Sequence, residues 1–134
     1  MGITADCPLS GIVAEVGGQS RPLLLRNSEI ERFEVHHGLG IFQFLEELLG
    51  KGEPQARHCR DIVALGLVGG GLLDKSADKV VDDMPPHENM RIRSIAQDLV
   101  FAAFNPPEVD KKKADVLVGS SSKKTQKSTT QKAK

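Results

Sequence analysis

The chain has no tryptophan, no tyrosine, five phenylalanines and two cysteines among its 134 residues, and its formal net charge is zero. With aromatics at 4 per cent, the interior must be built mainly from Leu, Ile, Val and Ala, which at this length is enough for one modest core. Cys7 and Cys59 are too few and too distant in sequence for a disulfide framework or a zinc site, so a reducing cytoplasm is the expectation. The longest uncharged run, residues 62–73, is broken by four glycines and is well short of the roughly 20 residues that span a bilayer. The first thirty residues hold no basic start followed by an apolar stretch. MGITAD also lacks the Ser or Thr that a myristoylation signal wants at its sixth position. Neither export, a lipid anchor nor a membrane partner is expected.

The zero net charge conceals a division. Residues 111–134 hold 8 Lys against 1 Asp, and residues 1–110 hold 10 basic against 17 acidic side chains, so the body is near −7 and the tail near +7. From Glu108 onward the composition is Lys, Ser, Thr and Gln with one apolar patch, Val116 to Val118, which predicts a disordered basic tail over 108–134. That tail has no Arg and no aromatic for base readout or stacking. Non-specific contact with phosphates fits it, specific nucleic-acid recognition does not, and a solubilising tail that leans on the acidic body is the plainer reading.

Residues 1–10 show no period and are expected to be a flexible N-terminus. Gly11 to Val16 alternates, Gly17-Gly18 suits a two-residue turn, and Gln19 to Leu25 returns with Leu23 and Leu25 on one face and Pro22 at an edge. A lone hairpin is marginal in water and must lay its apolar side on helices. The prediction is therefore a single α+β domain over 11–107, with an N-terminal β-hairpin packed on four to five short α-helices.

The stretch Ser28 to Gly50 looks like the organising centre. Ser28 and Glu31 have the spacing of a capping box, with Asn27 as a competing cap, and Ile30, Phe33 and His37 form one apolar stripe while Glu29, Glu31, Arg32 and Glu34 lie to the sides and rear. Gly38 and Gly40 end that helix. Ile41, Phe42, Phe44, Leu45, Leu48 and Leu49 then leave only Gln43, Glu46 and Glu47 as a narrow polar strip. A helix so apolar is either the centre of a small core or presents part of its face to another chain, and Phe33, Ile41, Phe42, Leu45 and Leu49 are the candidate partner-binding residues.

Pro54 opens a third helix that runs to about Val68, with Cys59, Ile62, Val63 and Gly66 as its stripe and Arg57 with Asp61 as an i, i+4 pair. Gly66 suggests a close helix approach, and Gly69-Gly70-Gly71 suggests a helix stop and tight turn. A short fourth helix through Ala77 to Val81 follows, capped by Asp74 or Ser76. After Pro85-Pro86, the last helix carries Ile92, Ile95, Ala96, Leu99, Ala102 and Ala103 on one stripe and is expected to dock on the central pair until Asn105-Pro106-Pro107 stops it.

No catalytic constellation emerges. The glycines at 66, 69, 70 and 71 fit neither G-x-G-x-x-G nor a P-loop. His36-His37 and His58-Cys59 are adjacent pairs that point about 100° apart on a helix and cannot both face one metal unaided. His87 is expected to be exposed, and Glu46-Glu47 and Asp82-Asp83 to be solvated surface. An enzyme, a metal and a cofactor are not expected.

The order of these features resembles the small tail assembly chaperones of long-tailed phages and gene transfer agents, a family also labelled phage tail tube proteins. The resemblance rests on Gly17 or Gly18 followed by Arg21, Leu23 and Leu25; on Ile30 and Glu34; on Gly38-Leu39-Gly40-Ile41; and on Asp61-Ile62, Leu65-Gly66-Leu67 and Gly69-Gly70-Gly71. It covers about residues 11–107, and the Lys-rich tail is longer than the family pattern. It implies a non-enzymatic protein of the bacterial host cytoplasm that holds the tape measure protein soluble and recruits tail tube protein during tail growth. Self-association is a further option. The alternatives are a structural, tube-associated tail protein and a non-specific nucleic-acid binder acting through its basic tail.

Overall fold

The computed structural model describes residues 5–105; the predicted basic tail lies outside these residues, as do residues 1–4. The architecture is α+β. Strands β1 (Ile12–Val16) and β2 (Gln19–Leu23) form an antiparallel hairpin, followed by helices α1 (Asn27–His37), α2 (Ile41–Glu46), α3 (Ala56–Gly69), α4 (Asp74–Asp82) and α5 (Asn89–Phe104). A wide turn, Glu47–Lys51, extends α2, and a short 3-10 turn, Pro86–Glu88, leads into α5. The hairpin turns at Gly17 and Gly18, both with positive φ, and pairs Ile12 with Leu23, Ala14 with Arg21 and Val16 with Gln19. Strand β2 ends two residues earlier than expected, because Leu24 turns its N–H to the carbonyl of Gly66, at 2.9 Å, instead of continuing a ladder.

That bond marks the real centre of the fold. It is α3, and not the Ser28–Gly50 pair, that touches α1, α4, α5 and β2 together, and Ile62, Val63, Ala64, Leu65 and Leu67 are buried around nearly its whole circumference. The glycines of its last turns are contact residues. A Cβ on Gly66 would lie 2.4 Å from Cδ2 of Leu99 on α5, one on Gly69 would lie 1.8 Å from the Leu24 carbonyl oxygen, and one on Gly70 2.1 Å from that of Pro22. Real side chains do not tolerate such distances. The close approach expected at Gly66 is therefore present and α3 does stop at Gly69, but Gly69 and Gly70 also serve as contacts toward the end of β2, and of the Gly69-Gly70-Gly71 run only Gly71, at φ 120°, has a backbone that favours glycine. Helix α5 docks on α3 and β1, not on the central pair, with Ile92, Ile95, Ala96 and Leu99 buried and Leu99 set against Gly66 of α3.

Local chemistry corrects two further expectations. Helix α1 begins at Asn27, with Arg26 at the capping position, and the box is closed by Glu29 and not by Ser28 with Glu31. Glu29 is 3 per cent exposed and accepts the Arg26 backbone N–H at 2.9 Å, the Arg26 guanidinium at 3.0 and 2.8 Å, and the Ser28 hydroxyl at 3.1 Å. Burial alone would raise its carboxyl; these donors outweigh that and hold it below the usual carboxylate range. Glu31 is exposed and has no comparable set of donors among the described residues. Helix α4 starts at Asp74, with Leu73 in the capping position, and Arg60 of α3 secures its end by donating to the carbonyls of Val81 and Met84.

Gly69→Ala should cost about 3 kcal/mol or more, because the added methyl meets strand backbone that cannot swing aside. Gly38→Asn, at φ 60° with open space around it, should cost only a few tenths to about 1 kcal/mol. Urea unfolding of the two variants side by side checks the contrast.

Candidate functional site

The corner between α1 and α2 is set by Glu34. Its carbonyl accepts the N–H of Gly38, which closes α1 at φ 60° and ψ 32°, and its side-chain Oε2 accepts the Ile41 N–H at 2.9 Å, capping the start of α2. This fixes which way α2 faces. Ile41, Phe44 and Leu48 turn inward, and the Phe33 and Phe44 rings meet at 5.1 Å in the core. On the other side Phe42 is 68 per cent exposed, Leu49 is 51 per cent exposed, and Leu45 is half-buried between them.

The five residues expected to bind a partner are thus divided. Phe33 and Ile41 are enclosed, at 0 and 3 per cent exposure, because the inward stripe of α1 and the first turn of α2 close over each other; they do not belong to an open surface. Phe42 and Leu49 face outward, and Leu45 is shared between this face and the core against which it packs. The structure adds one residue that the sequence reading missed: Phe104, at the end of α5, stacks on Phe42 with ring centroids 5.3 Å apart and 29° between planes, and is itself 40 per cent exposed. The only signal for it was an aromatic at the last position before the helix stop, outside the predicted stripe. Glu46 lies on the same side of α2 as Phe42 and Leu49, at i+4 from one and i−3 from the other. The surface is apolar with an acidic member.

A second cluster sits between α1 and α3. The imidazole of His37 is 2.7 Å from Asp61 through Nε2, so Asp61 spans to α1 and does not form the expected pair with Arg57, whose guanidinium donates to Gln55 instead. His58, 6 per cent exposed, lies against His37 at 4.6 Å and against Phe33 at 5.9 Å, with no partner for either ring nitrogen among the described residues. Burial, together with nearby His37 and Arg57, pushes its pKa below the usual histidine range, and Asp61 offsets this only in part. Beside it is a cavity of about 260 Å³ whose wall includes His36, His37, Arg57, Arg60, Asp61 and Asp78. Its charges are mixed, with His37 engaged by Asp61 through Nε2 and its Nδ1 buried without a partner among the described residues. No three His, Cys, Asp or Glu side chains converge as a metal-binding set among the described residues. Cys59 is buried, which raises its thiol to about 11 and leaves it a poor nucleophile at neutral pH; Cys7 is exposed.

No family model matches the chain, and neither a curated protein nor a solved structure is found to be similar to it. Among the described residues no helix is long and apolar enough to cross a membrane.

Two pH windows follow from the buried groups. His58 is neutral in the fold with a lowered pKa, so the unfolded chain binds more protons as pH falls below about 6.5, and stability declines from there down to the folded pKa. Glu29, with a depressed pKa, adds stability above about 4.5 that is lost as pH falls further. Thermal melts across this range should show His58→Leu removing part of the upper window only. An unchanged acid profile in that variant would contradict the assignment.

Proposed function

We propose that this protein is a non-enzymatic tail assembly chaperone of a long-tailed phage or gene transfer agent, and that it engages the tape measure protein through the outward face of α2. The observation that carries the reading is the pairing of an exposed Phe42 with an exposed Phe104, continued along α2 by Leu45 and Leu49, on a body whose residues 1–110 are acidic. Phe42 and Leu45 lie one turn apart on α2, and Leu49 continues the strip from the wide turn, giving an apolar length against which a client helix can lie. A contiguous apolar strip of this kind on a small domain is a docking surface more often than an accident of composition. Tail tube protein is the second client that this role implies, and no cofactor enters it.

A structural tail protein is the second reading. It is supported by the hairpin, a two-stranded sheet in which the outer edges of β1 and β2 have no strand partner among the described residues and could add a neighbouring subunit's strand. Presence of the chain in purified particles would favour this over a factor that leaves during assembly.

Co-expression with the tape measure protein separates the α2 face from the core. The double change Phe42→Ser with Leu49→Ser should alter stability by less than about 1 kcal/mol, since both side chains face solvent, yet abolish solubilisation of the client. Phe33→Ala should instead cost about 3–5 kcal/mol and lose the fold. If the client is no more soluble with the unaltered chain than without it, the proposal fails.

A further inference from the structure

The Phe42–Phe104 face lies where the described chain ends. Phe104 is the last residue of α5, and Asn105 is followed by a further 29 residues, 106–134. Within residues 111–134 the apolar content is concentrated in Val116, Leu117 and Val118; Asp115 directly precedes them, and beyond it Lys111, Lys112 and Lys113 on one side and Lys123 and Lys124 on the other leave the segment net basic. The face has the matching composition: an apolar strip of Phe42, Leu45 and Leu49 with Glu46 on the same side and Glu53 exposed just beyond the wide turn. The eleven steps from Asn105 to Val116 reach at most roughly 36–40 Å when extended, against 5.3 Å between the Phe104 and Phe42 rings. Reach is ample.

We propose that Val116, Leu117 and Val118 of the same chain cover the Phe42–Leu49 strip when no partner is bound, with the flanking lysines beside its glutamates. The inference rests on reading that strip as a docking surface, and not on which protein docks there. Its physical logic is that a covering segment tethered a few residues away needs little intrinsic affinity, because closing a short loop costs less than recruiting a free peptide. An apolar client with a longer matching seam displaces it. The basic tail then serves to keep an adhesive face covered until a client arrives, and salt weakens that cover by screening the Lys–Glu part of it.

The test uses the full-length chain. A nitroxide is attached at Ser120→Cys in a Cys7→Ser background, where the remaining Cys59 is buried and its thiol is raised to about 11. The methyl signals of Leu45 and Leu49 should be broadened, while those of Val35 and Leu73, exposed on α1 and at the start of α4, should not. Adding Leu117→Asp should restore the Leu45 and Leu49 signals. Broadening of neither pair, or of both pairs equally, would overturn the inference. So would broadening that appears only between labelled and unlabelled copies in a mixture, since the strip would then be covered by a second copy. A client that stays insoluble while the broadening persists defeats the proposed function alone; client binding without the broadening defeats this inference alone.

Discussion

The fold depends on how closely β2 approaches the last turns of α3. Gly66 offers its carbonyl to the Leu24 N–H and to the Gly70 N–H, each at 2.9 Å, so one helix oxygen ties strand to helix while still serving the helix. The absence of side chains at 66, 69 and 70 is what brings these backbones together. The hairpin has only two strands and would not persist alone, and this bond with the burial of Val16 and Leu23 is what holds it. Any residue larger than glycine at 69 or 70 would lift the hairpin off the helix that anchors it.

The same contact determines where the candidate site points. Leu24 and Leu25 leave the strand already fixed against α3, so Arg26 arrives beside Glu29, whose carboxylate is packed near Gly69. Helix α1 therefore starts from a defined point and lays Ile30 and Phe33 inward. Glu34 then passes the constraint on through the Ile41 N–H. The outward aspect of Phe42 is thus the end of a sequence of backbone constraints running from the α3 glycines through Glu29 and Glu34, and the burial of Phe33 and Ile41 is part of that sequence.

Much of this was legible from residue patterns because the patterns had local causes. The hairpin followed from alternation around Gly17-Gly18, α1 from its stripe, and the stop before Pro106 from proline geometry. Apart from the caps of α1 and α4, the errors concern tertiary partners. The stop expected at Gly69-Gly70-Gly71 is where α3 ends, but the contact surface that Gly69 and Gly70 also form appears only with the approach of Leu24 and Pro22. Glu29 looked like surface because its partners, Arg26 and the end of α3, are not visible in helical periodicity. Asp61 sat four residues from Arg57 and was claimed instead by His37, a closer partner across the helices. For the site, the width of the apolar belt on α2 was readable, but its division into an inner and an outer half was not. Phe104 joined the site only because α5 runs past α2 at its end.

That division bears on why the outer half is apolar at all. Helix α2 satisfies the core with Ile41, Phe44 and Leu48, and its outward positions 43 and 46 already carry Gln and Glu, so the local fold accepts polar residues there. Nothing in the packing requires Phe42 or Leu49. In a chain whose core has so few aromatics to draw on, two of the five phenylalanines are stacked against each other at the surface. Single exposed apolar residues are ordinary, but a stacked pair continued by two leucines at helical spacing costs solubility without stabilising the monomer's interior. On the reading proposed above, a surface of that kind is explained by what covers it, and it is carried on a body that is acidic over residues 1–110.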